Sequence, residues 1–220
     1  MNRSPLKKAL LDITHLLKIK ELNLPKQAIT EFEELYTRYI SIGAGSLFSY
    51  TSEYPLYMFL NYIIEEKGVL IHGSNNPNIR EFEPKNSSLF NGTPIKAVFA
   101  SSDGVWSIFF AVLNRDGYDG SIRNLCLTVT TKKGKKHYYY FSTNNSNVLN
   151  RWVNGTIYIF PKSPFKKGGI GDEWVCEDRI KPLAKLSVTP NDFPFIEKVS
   201  IHKDTDSGLR TILKAIVAKK

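Results

Sequence analysis

Cysteine is scarce in this chain, and long apolar runs are absent from it. Only two cysteines occur among 220 residues, Cys126 and Cys176, and both lie in apolar segments where a thiol usually behaves as a small buried side chain. This usage argues against a disulfide framework and favours a reducing, cytoplasmic compartment. Asp12 and His15 interrupt the apolar run that a signal peptide would need. No window approaches the roughly 18 uninterrupted apolar residues of a membrane span, so none is expected.

Short motifs with well-known chemistry are also missing. The sequence contains no phosphate-binding glycine loop, no nucleophile elbow and no paired-cysteine zinc motif. His15, His137 and His202 lie far apart, and no carboxylate or cysteine accompanies them at the spacing of metal ligands. The sequence therefore predicts no metal site, and a functional interpretation has to rest on a smaller set of residues.

The composition is that of a globular protein with an excess of positive charge. Hydrophobic residues make up 42% and aromatic residues 12%, values well above those of a disordered chain. The net charge of +9 raises the chance of an anionic partner such as nucleic acid, a nucleotide or acidic lipid. Part of the excess lies in two lysine clusters, which are either solvated turns or binding surfaces: Lys132, Lys133, Lys135 and Lys136, and Lys162, Lys166 and Lys167.

Apolar periodicity predicts helices first and short strands afterwards. Helices are expected over residues 5–22, 26–40 and 55–66, and a further helix is expected from 105 to 113, with Ser102 and Asp103 as its cap. Glycine, proline and asparagine separate the predicted strands at 69–73, 96–102, 122–130, 137–143, 156–160, 173–177 and 183–188.

These elements predict an α+β fold with three regions. Helices in residues 1–67 would pack on a core domain of residues 68–203. An amphipathic helix over residues 204–220 would follow, and it could dock on the domain, contact a partner helix or touch a membrane surface.

Three segments of the core domain stand out. The apolar run that ends in VLIHGS places His72 at the end of a strand, directly before turn-forming residues. The next strand reads VFASSD and leads into an aromatic helix. A late strand within GDEWVCED carries Glu173, which lies 101 residues after His72 (173 − 72), and Glu177 follows four residues later.

This succession resembles the ADP-ribosyltransferase superfamily, which includes the diphtheria-toxin-like and poly(ADP-ribose) polymerase-like enzymes of the His-Tyr-Glu type. The resemblance covers residues 68–190, and it implies a split antiparallel β-sandwich with an N-terminal helical extension. It also implies NAD as a substrate. His72 would then contact the adenosine ribose, Gly73 and Ser74 would hold the nicotinamide amide, and Glu173 would hold the nicotinamide ribose, with Glu177 in reserve.

The same resemblance implies a site for the nicotinamide ring. Ser101, in VFASSD, would line it, and Trp106, Phe109 or Phe110 would take the place of the stacking tyrosine. Cleavage of the bond between nicotinamide and ribose generates an oxocarbenium-like centre, which a buried carboxylate can stabilise. The cationic nicotinamide ring is well held against an aromatic face.

Three functional hypotheses follow. The first is an NAD-dependent transferase with a protein or nucleic-acid acceptor, or an NAD glycohydrolase. The second is a non-catalytic nucleotide-, RNA- or DNA-binding module, in which the aromatic run Tyr138–Phe141 stacks on bases beside the lysine clusters. The third is an interaction protein whose terminal helices dock a partner. The candidate residues also have structural interpretations. His72 could be a turn or core residue, and Glu173 could be a solvent-facing carboxylate on a strand. The aromatic residues of the helix could belong to the core.

Overall fold

The computed structural model describes residues 4–144, 150–169 and 171–207, and these residues fall into two compact units. The first unit is built from the described parts of residues 1–23, 115–151 and 195–207, and the second from the described parts of residues 24–114 and 152–194. The division at residue 23 falls inside the helical region predicted for residues 1–67. Most of the predicted C-terminal helix, from residue 208 onward, lies outside the described residues.

The described elements largely follow the predicted ones, and no described helix has both the length and the apolar character needed to cross a membrane. In chain order they are α1 (Ser4–Asp12), β1 (Leu17–Ile19), α2 (Lys26–Leu35), β2 (Ser46–Phe48), α3 (Leu56–Glu66), β3 (Val69–Ser74), β4 (Lys85–Ser88), β5 (Pro94–Ser101), α4 (Gly104–Val112), β6 (Ile122–Thr131), β7 (Gly134–Thr143), β8 (Gly155–Pro161), β9 (Lys166–Lys167), β10 (Glu173–Cys176), β11 (Ala184–Val188) and β12 (Ser200–Ile201). A π-helical segment, Tyr36–Ile40, continues α2.

The first helix is shorter than predicted. The predicted helix over residues 5–22 ends at Asp12, and Leu17–Ile19 form the strand β1 instead. The ammonium group of Lys18 donates hydrogen bonds to the carbonyl oxygens of Asp12 and Thr14, at 2.8 Å each, and so satisfies groups at the end of α1. Pairing of β1 with β7 outweighs the helical spacing of the leucines.

In the first unit, β7 is the central strand. It pairs antiparallel with β6 along its length, antiparallel with β1 and parallel with β12. The aromatic run Tyr138–Phe141 on β7 is buried, with no ring more than 9% exposed. These rings are core residues, so they are not available to stack on nucleobases from solvent, as the second hypothesis required of them.

The second unit contains an eight-stranded sheet, which confirms the α+β class. Its strands run in the order β2-β11-β8-β3-β5-β10-β9, with β4 also paired to β5. All neighbours are antiparallel except β2 and β11. The helix α4 lies close against one face of this sheet. A Cβ atom built on Gly73 of β3 would lie 2.1 Å from the carbonyl oxygen of Ser107 on α4.

The face of this sheet opposite α4 carries an apolar cluster, which we call the second apolar cluster because α4 covers the first face. Successive strand residues point to opposite faces, and residues in register across an antiparallel pair point to the same face. Leu70 and His72 therefore share a face with their partners Phe160 and Tyr158. The cluster consists of Leu70, Phe82, Val98, Ala100, Tyr158, Phe160, Phe165, Cys176 and Ile180, with Ile79 and Trp174 packed against it.

Candidate functional site

The three segments singled out in the sequence lie on adjacent strands of the second unit. Strand β5, which carries VFASSD, pairs with β3 and with β10. Ser101 is in register with both Ile71, the neighbour of His72, and Glu173. Because strands are spaced about 4.8 Å apart, the backbones of β3 and β10 lie roughly 10 Å apart at this level.

His72 is half-buried, and a main-chain contact holds its ring. Nδ1 lies 2.8 Å from the carbonyl oxygen of Phe99 on β5. Because a carbonyl oxygen can only accept, Nδ1 carries the proton and Nε2 of the neutral ring is an acceptor. The imidazole also meets the ring of Phe82 edge to face at 5.1 Å between centroids. The ring therefore lies on the face of the second apolar cluster.

Gly73 and Ser74 serve the packing and the turn after β3. The close approach of Ser107 to Gly73 leaves no room for a side chain at that position. The hydroxyl of Ser74 accepts a hydrogen bond from the amide of Asn76 at 3.2 Å. The amide group of Asn75 donates to the carbonyl oxygen of Ala111 on α4 at 2.7 Å. This strand end is thus fixed to α4.

The junction between β5 and α4 is a buried, hydrogen-bonded turn. The hydroxyl of Ser101 accepts a hydrogen bond from the amide of Asp103 at 3.0 Å. The carboxylate of Asp103 then accepts one from the amide of Trp106 at 2.8 Å, which confirms the predicted cap. The side chain of Asn61 on α3 accepts from the amide of Gly104 at 2.9 Å. These contacts fix where α4 begins, three residues after Ser101.

Two aromatic residues on α4 are partly accessible. Trp106 and Phe110 lie one helical turn apart and are half-buried, and their rings meet edge to face at 5.4 Å between centroids. Phe109 is fully buried and contacts Phe193 in the core. Of the three rings considered for nicotinamide, Phe109 therefore has a core environment, whereas Trp106 and Phe110 retain an accessible portion.

Glu173 is half-buried at the start of β10. One of its carboxylate oxygens, Oε1, accepts a hydrogen bond from the amide of Gly169 at 2.7 Å, and its carbonyl oxygen accepts one from Gly168 at 2.9 Å. A Cβ atom on Gly168 would lie 2.5 Å from Oε1, so the β9–β10 hairpin fits closely over this carboxylate. Glu177 is exposed and lies 3.7 Å from the ammonium group of Lys166.

The strand register groups some predicted site residues and separates two. Ser101 and Glu173 point to the face that α4 covers, on which Gly73 also lies. The ring of His72 points to the other face, with Tyr158, and Ser74, two residues further along β3, shares that face. The structure therefore puts Gly73, Ser101 and Glu173 on one face of the sheet, and it does not bring the side chains of His72 and Ser74 to that face.

Sequence reasoning overlooked Trp174, the residue after Glu173. The indole Nε1 of Trp174 donates to the hydroxyl of Ser102 at 3.1 Å, and that hydroxyl donates to the carboxylate of Asp172 at 2.8 Å. The ammonium groups of Lys162 and Lys167 lie 4.7 Å and 4.3 Å from the centre of the Trp174 ring. The lysine cluster was visible in the sequence, but the position of Lys167 opposite this ring depends on the β9–β10 register.

Comparison with known protein families, curated proteins and solved structures finds no match to this chain. The geometry of the chain itself therefore carries the functional assignment.

Proposed function

We propose that this chain is an ADP-ribosyltransferase-like protein that binds NAD and either transfers ADP-ribose to a macromolecular acceptor or hydrolyses NAD. One observation supports this most: β5 lies between the strands of His72 and Glu173, and Ser101 is in register with β3 and β10. Glu173 follows His72 by 101 positions, a distance along the chain that does not impose this adjacency.

The proposed fold is the split antiparallel β-sandwich of that superfamily. The antiparallel order β8-β3-β5-β10, with α4 against one face, agrees with it. The helices α2 and α3 and the π-helical segment precede β3 in the chain, as an N-terminal helical extension would. Because the ring of His72 lies on the other face of the sheet, beside Phe82 and Tyr158, the proposal rests on the residues of the nicotinamide half.

The proposed chemistry breaks the bond between C1′ of the ribose and N1 of nicotinamide. The electron pair passes to the ring nitrogen, nicotinamide leaves as a neutral molecule, and the ribose becomes oxocarbenium-like. The carboxylate of Glu173, which the Gly169 amide orients, would stabilise that charge. Trp106 and Phe110 would hold the cationic nicotinamide ring before cleavage. A water molecule, or a hydroxyl group of the acceptor, then attacks C1′ and loses its proton.

Nicotinamide release from NAD tests the proposal. The wild-type chain is incubated with NAD, alone and with protein or nucleic-acid acceptors, and nicotinamide is measured by chromatography. Glu173→Gln should lower the rate by two orders of magnitude or more, the scale on which a group that stabilises transition-state charge acts. Glu66→Gln, a matched change at an exposed glutamate, should retain the wild-type rate.

The outcomes separate the alternatives within the proposal. If Glu177→Gln removes activity and Glu173→Gln does not, the reserve glutamate is the essential one. NAD binding by calorimetry without nicotinamide release would identify a non-catalytic nucleotide-binding module. A wild-type chain that neither binds NAD nor releases nicotinamide contradicts the proposal.

A further inference from the structure

We infer that Trp174, Lys162 and Lys167 form a binding surface for single-stranded nucleic acid, which we call the lysine–tryptophan surface. The partner is recognised by two features of any polynucleotide, a flat base and a phosphate group. This inference does not depend on NAD chemistry, because it concerns binding alone.

The geometry supplies both kinds of contact in one place. Nitrogen atoms of two lysines lie 4.7 Å and 4.3 Å from the centre of one indole ring. The ring itself is held in orientation by its hydrogen bond to Ser102. A fixed aromatic plane beside ammonium groups is the arrangement by which proteins stack bases and track a phosphate backbone without reading sequence.

The lysines can leave the ring when a base arrives. Lys162 and Lys167 are exposed, and the ammonium group of Lys167 also donates a hydrogen bond to the carbonyl oxygen of Gly171 at 2.7 Å. An exposed ammonium group gains less on an aromatic ring than a stacked base does. A bound nucleotide would therefore displace the ammonium groups from the ring, and their flexible stems would let them turn to its phosphates.

The nearby carboxylates are engaged with other groups. Asp172 accepts from Ser102, and Glu173 accepts from Gly169. Glu177 faces Lys166, at 3.7 Å. Lys162, Lys167 and Trp174 therefore present cations and an aromatic ring, while these acidic oxygens point to main-chain and side-chain donors.

A polymer fits this surface better than a free nucleotide. Sites for small ligands are concave and bury most of the ligand. Here the two lysines are exposed and the ring is half-buried, so each nucleotide makes few contacts. A strand that continues across the surface adds contacts and gains from counterion release, which the net charge of +9 also favours.

Binding of a fluorescently labelled oligonucleotide, without NAD, tests the inference. The double variant Lys162→Gln/Lys167→Gln should weaken binding about tenfold, and it should reduce the slope of log K against log[salt] by about 1.4, which is two phosphate contacts at roughly 0.7 each. Lys132→Gln/Lys133→Gln removes the same charge at exposed positions of the β6–β7 turn and should change affinity by less than about threefold.

Tryptophan emission gives an independent readout of stacking. The oligonucleotide should quench emission of the wild-type chain and of Trp106→Phe, but not of Trp174→Phe, which keeps an aromatic side chain in the sheet. Far-UV circular dichroism of each variant verifies its fold.

Equal losses of oligonucleotide affinity in the two lysine double variants would overturn the inference. So would quenching that persists in Trp174→Phe. Binding of the protein to phosphatidylserine vesicles but not to the oligonucleotide would also overturn it. If adenosine monophosphate binds as tightly as the oligonucleotide, the inference that the partner is a polymer is wrong. Nicotinamide release is measured separately, so failure of either proposal leaves the other standing.

Discussion

Among individual residues, Gly73 shows how packing can explain a residue that the resemblance links to a ligand. Its position after His72 suggests a contact with nicotinamide, yet α4 passes directly over it. We predict that Gly73→Ala destabilises the second unit by about 3 kcal/mol, because a Cβ atom would lie 2.1 Å from the carbonyl oxygen of Ser107 and 2.7 Å from the amide nitrogen of Ala111. Urea denaturation followed by tryptophan fluorescence measures the change.

Gly92→Ala is the matched control for this prediction. Gly92 has φ +84°, and a Cβ atom there would meet nothing within 4 Å. Its replacement should therefore cost only the backbone strain of the left-handed conformation, roughly 1 kcal/mol. Equal losses in the two variants would mean that the approach of α4 to β3 is not as close as described.

The sequence identified some candidate side chains and missed others for a physical reason. His72 and Glu173 could be found because each lies in a short segment whose pattern predicts a strand. The face to which each points could not be found, since a shift of one residue in register moves a side chain to the other face. Trp174 was missed because Lys167 reaches it only through the β9–β10 pairing.

Among the secondary-structure elements, the predictions succeeded where local sequence decides the outcome. Asp103 caps α4, and most residues of its apolar run are buried. The prediction failed beyond Asp12, where leucines at helical spacing form β1 instead. A contact with β7, more than a hundred residues later, decides that outcome, and no pattern within residues 5–22 reveals it.

Asp12 ties the end of α1 to β7. Its carboxylate contacts the ammonium groups of Lys136 and Lys8 and accepts a hydrogen bond from the hydroxyl of Tyr138 at 2.8 Å. Hydrogen bonds from Lys136, Lys8 and Tyr138 hold the pKa of this carboxyl well below its ordinary value of 3.8. The stabilisation is therefore complete above pH 3.8 and is lost as the pH falls from 3.8 towards the lower folded-state pKa.

We accordingly predict that Asp12→Asn lowers the stability of the first unit at neutral pH by about 1 kcal/mol, a value suited to a partly exposed network. The difference between variant and wild type should shrink as the solution is acidified below pH 3.8. Thermal unfolding by circular dichroism measures it. Asp119→Asn changes an exposed carboxylate of the same unit and should have little effect. A difference that grows in acid would contradict the assignment.

Over the whole chain, each compact unit is assembled from segments that are distant in sequence. Residues 1–50 contribute α1 and β1 to the first unit and α2 and β2 to the second. Phe32 and Ile40 are fully buried, and β2 completes the sheet edge beside β11. The N-terminal region is therefore included in both cores, and it cannot serve only as an attachment for a partner.

Deletion of residues 1–50 should for this reason abolish cooperative unfolding. The shortened chain would expose the apolar surfaces that Phe32 and Ile40 cover, so we expect aggregation in size-exclusion chromatography and poor dispersion of amide resonances. A monodisperse, folded fragment would instead assign these helices to external contacts, which is what the third hypothesis requires.

The last described segment, residues 195–207, returns to the first unit and is joined to it through His202. This imidazole is 4% exposed and lies between two serine hydroxyls, with Nε2 2.8 Å from Ser121 Oγ and Nδ1 2.7 Å from Ser142 Oγ. Ser121 donates its proton to Asp204 at 2.7 Å, so Nε2 carries a proton and donates to Ser121. Burial, reinforced by Arg123, lowers the pKa of His202 below 6.5, although Asp204 and Asp206 oppose the shift.

A neutral His202 makes the stability of the first unit depend on pH. The unfolded chain takes up this proton near pH 6.5 and the folded chain only at lower pH, so stability is constant above 6.5 and falls below it until the folded-state pKa is passed. The slope contributed by one proton approaches about 1.4 kcal/mol per pH unit.

Hydrogen exchange of β7 amides between about pH 7.5 and pH 5, corrected for intrinsic exchange rates, should show this loss of stability in the wild type. It should show the same loss in His15→Gln, where an exposed histidine is replaced. His202→Gln should be less stable at neutral pH but flatter across the window. If its protection falls as steeply as that of the wild type, another group controls the transition and His202 is not the residue that joins the returning segment to β7.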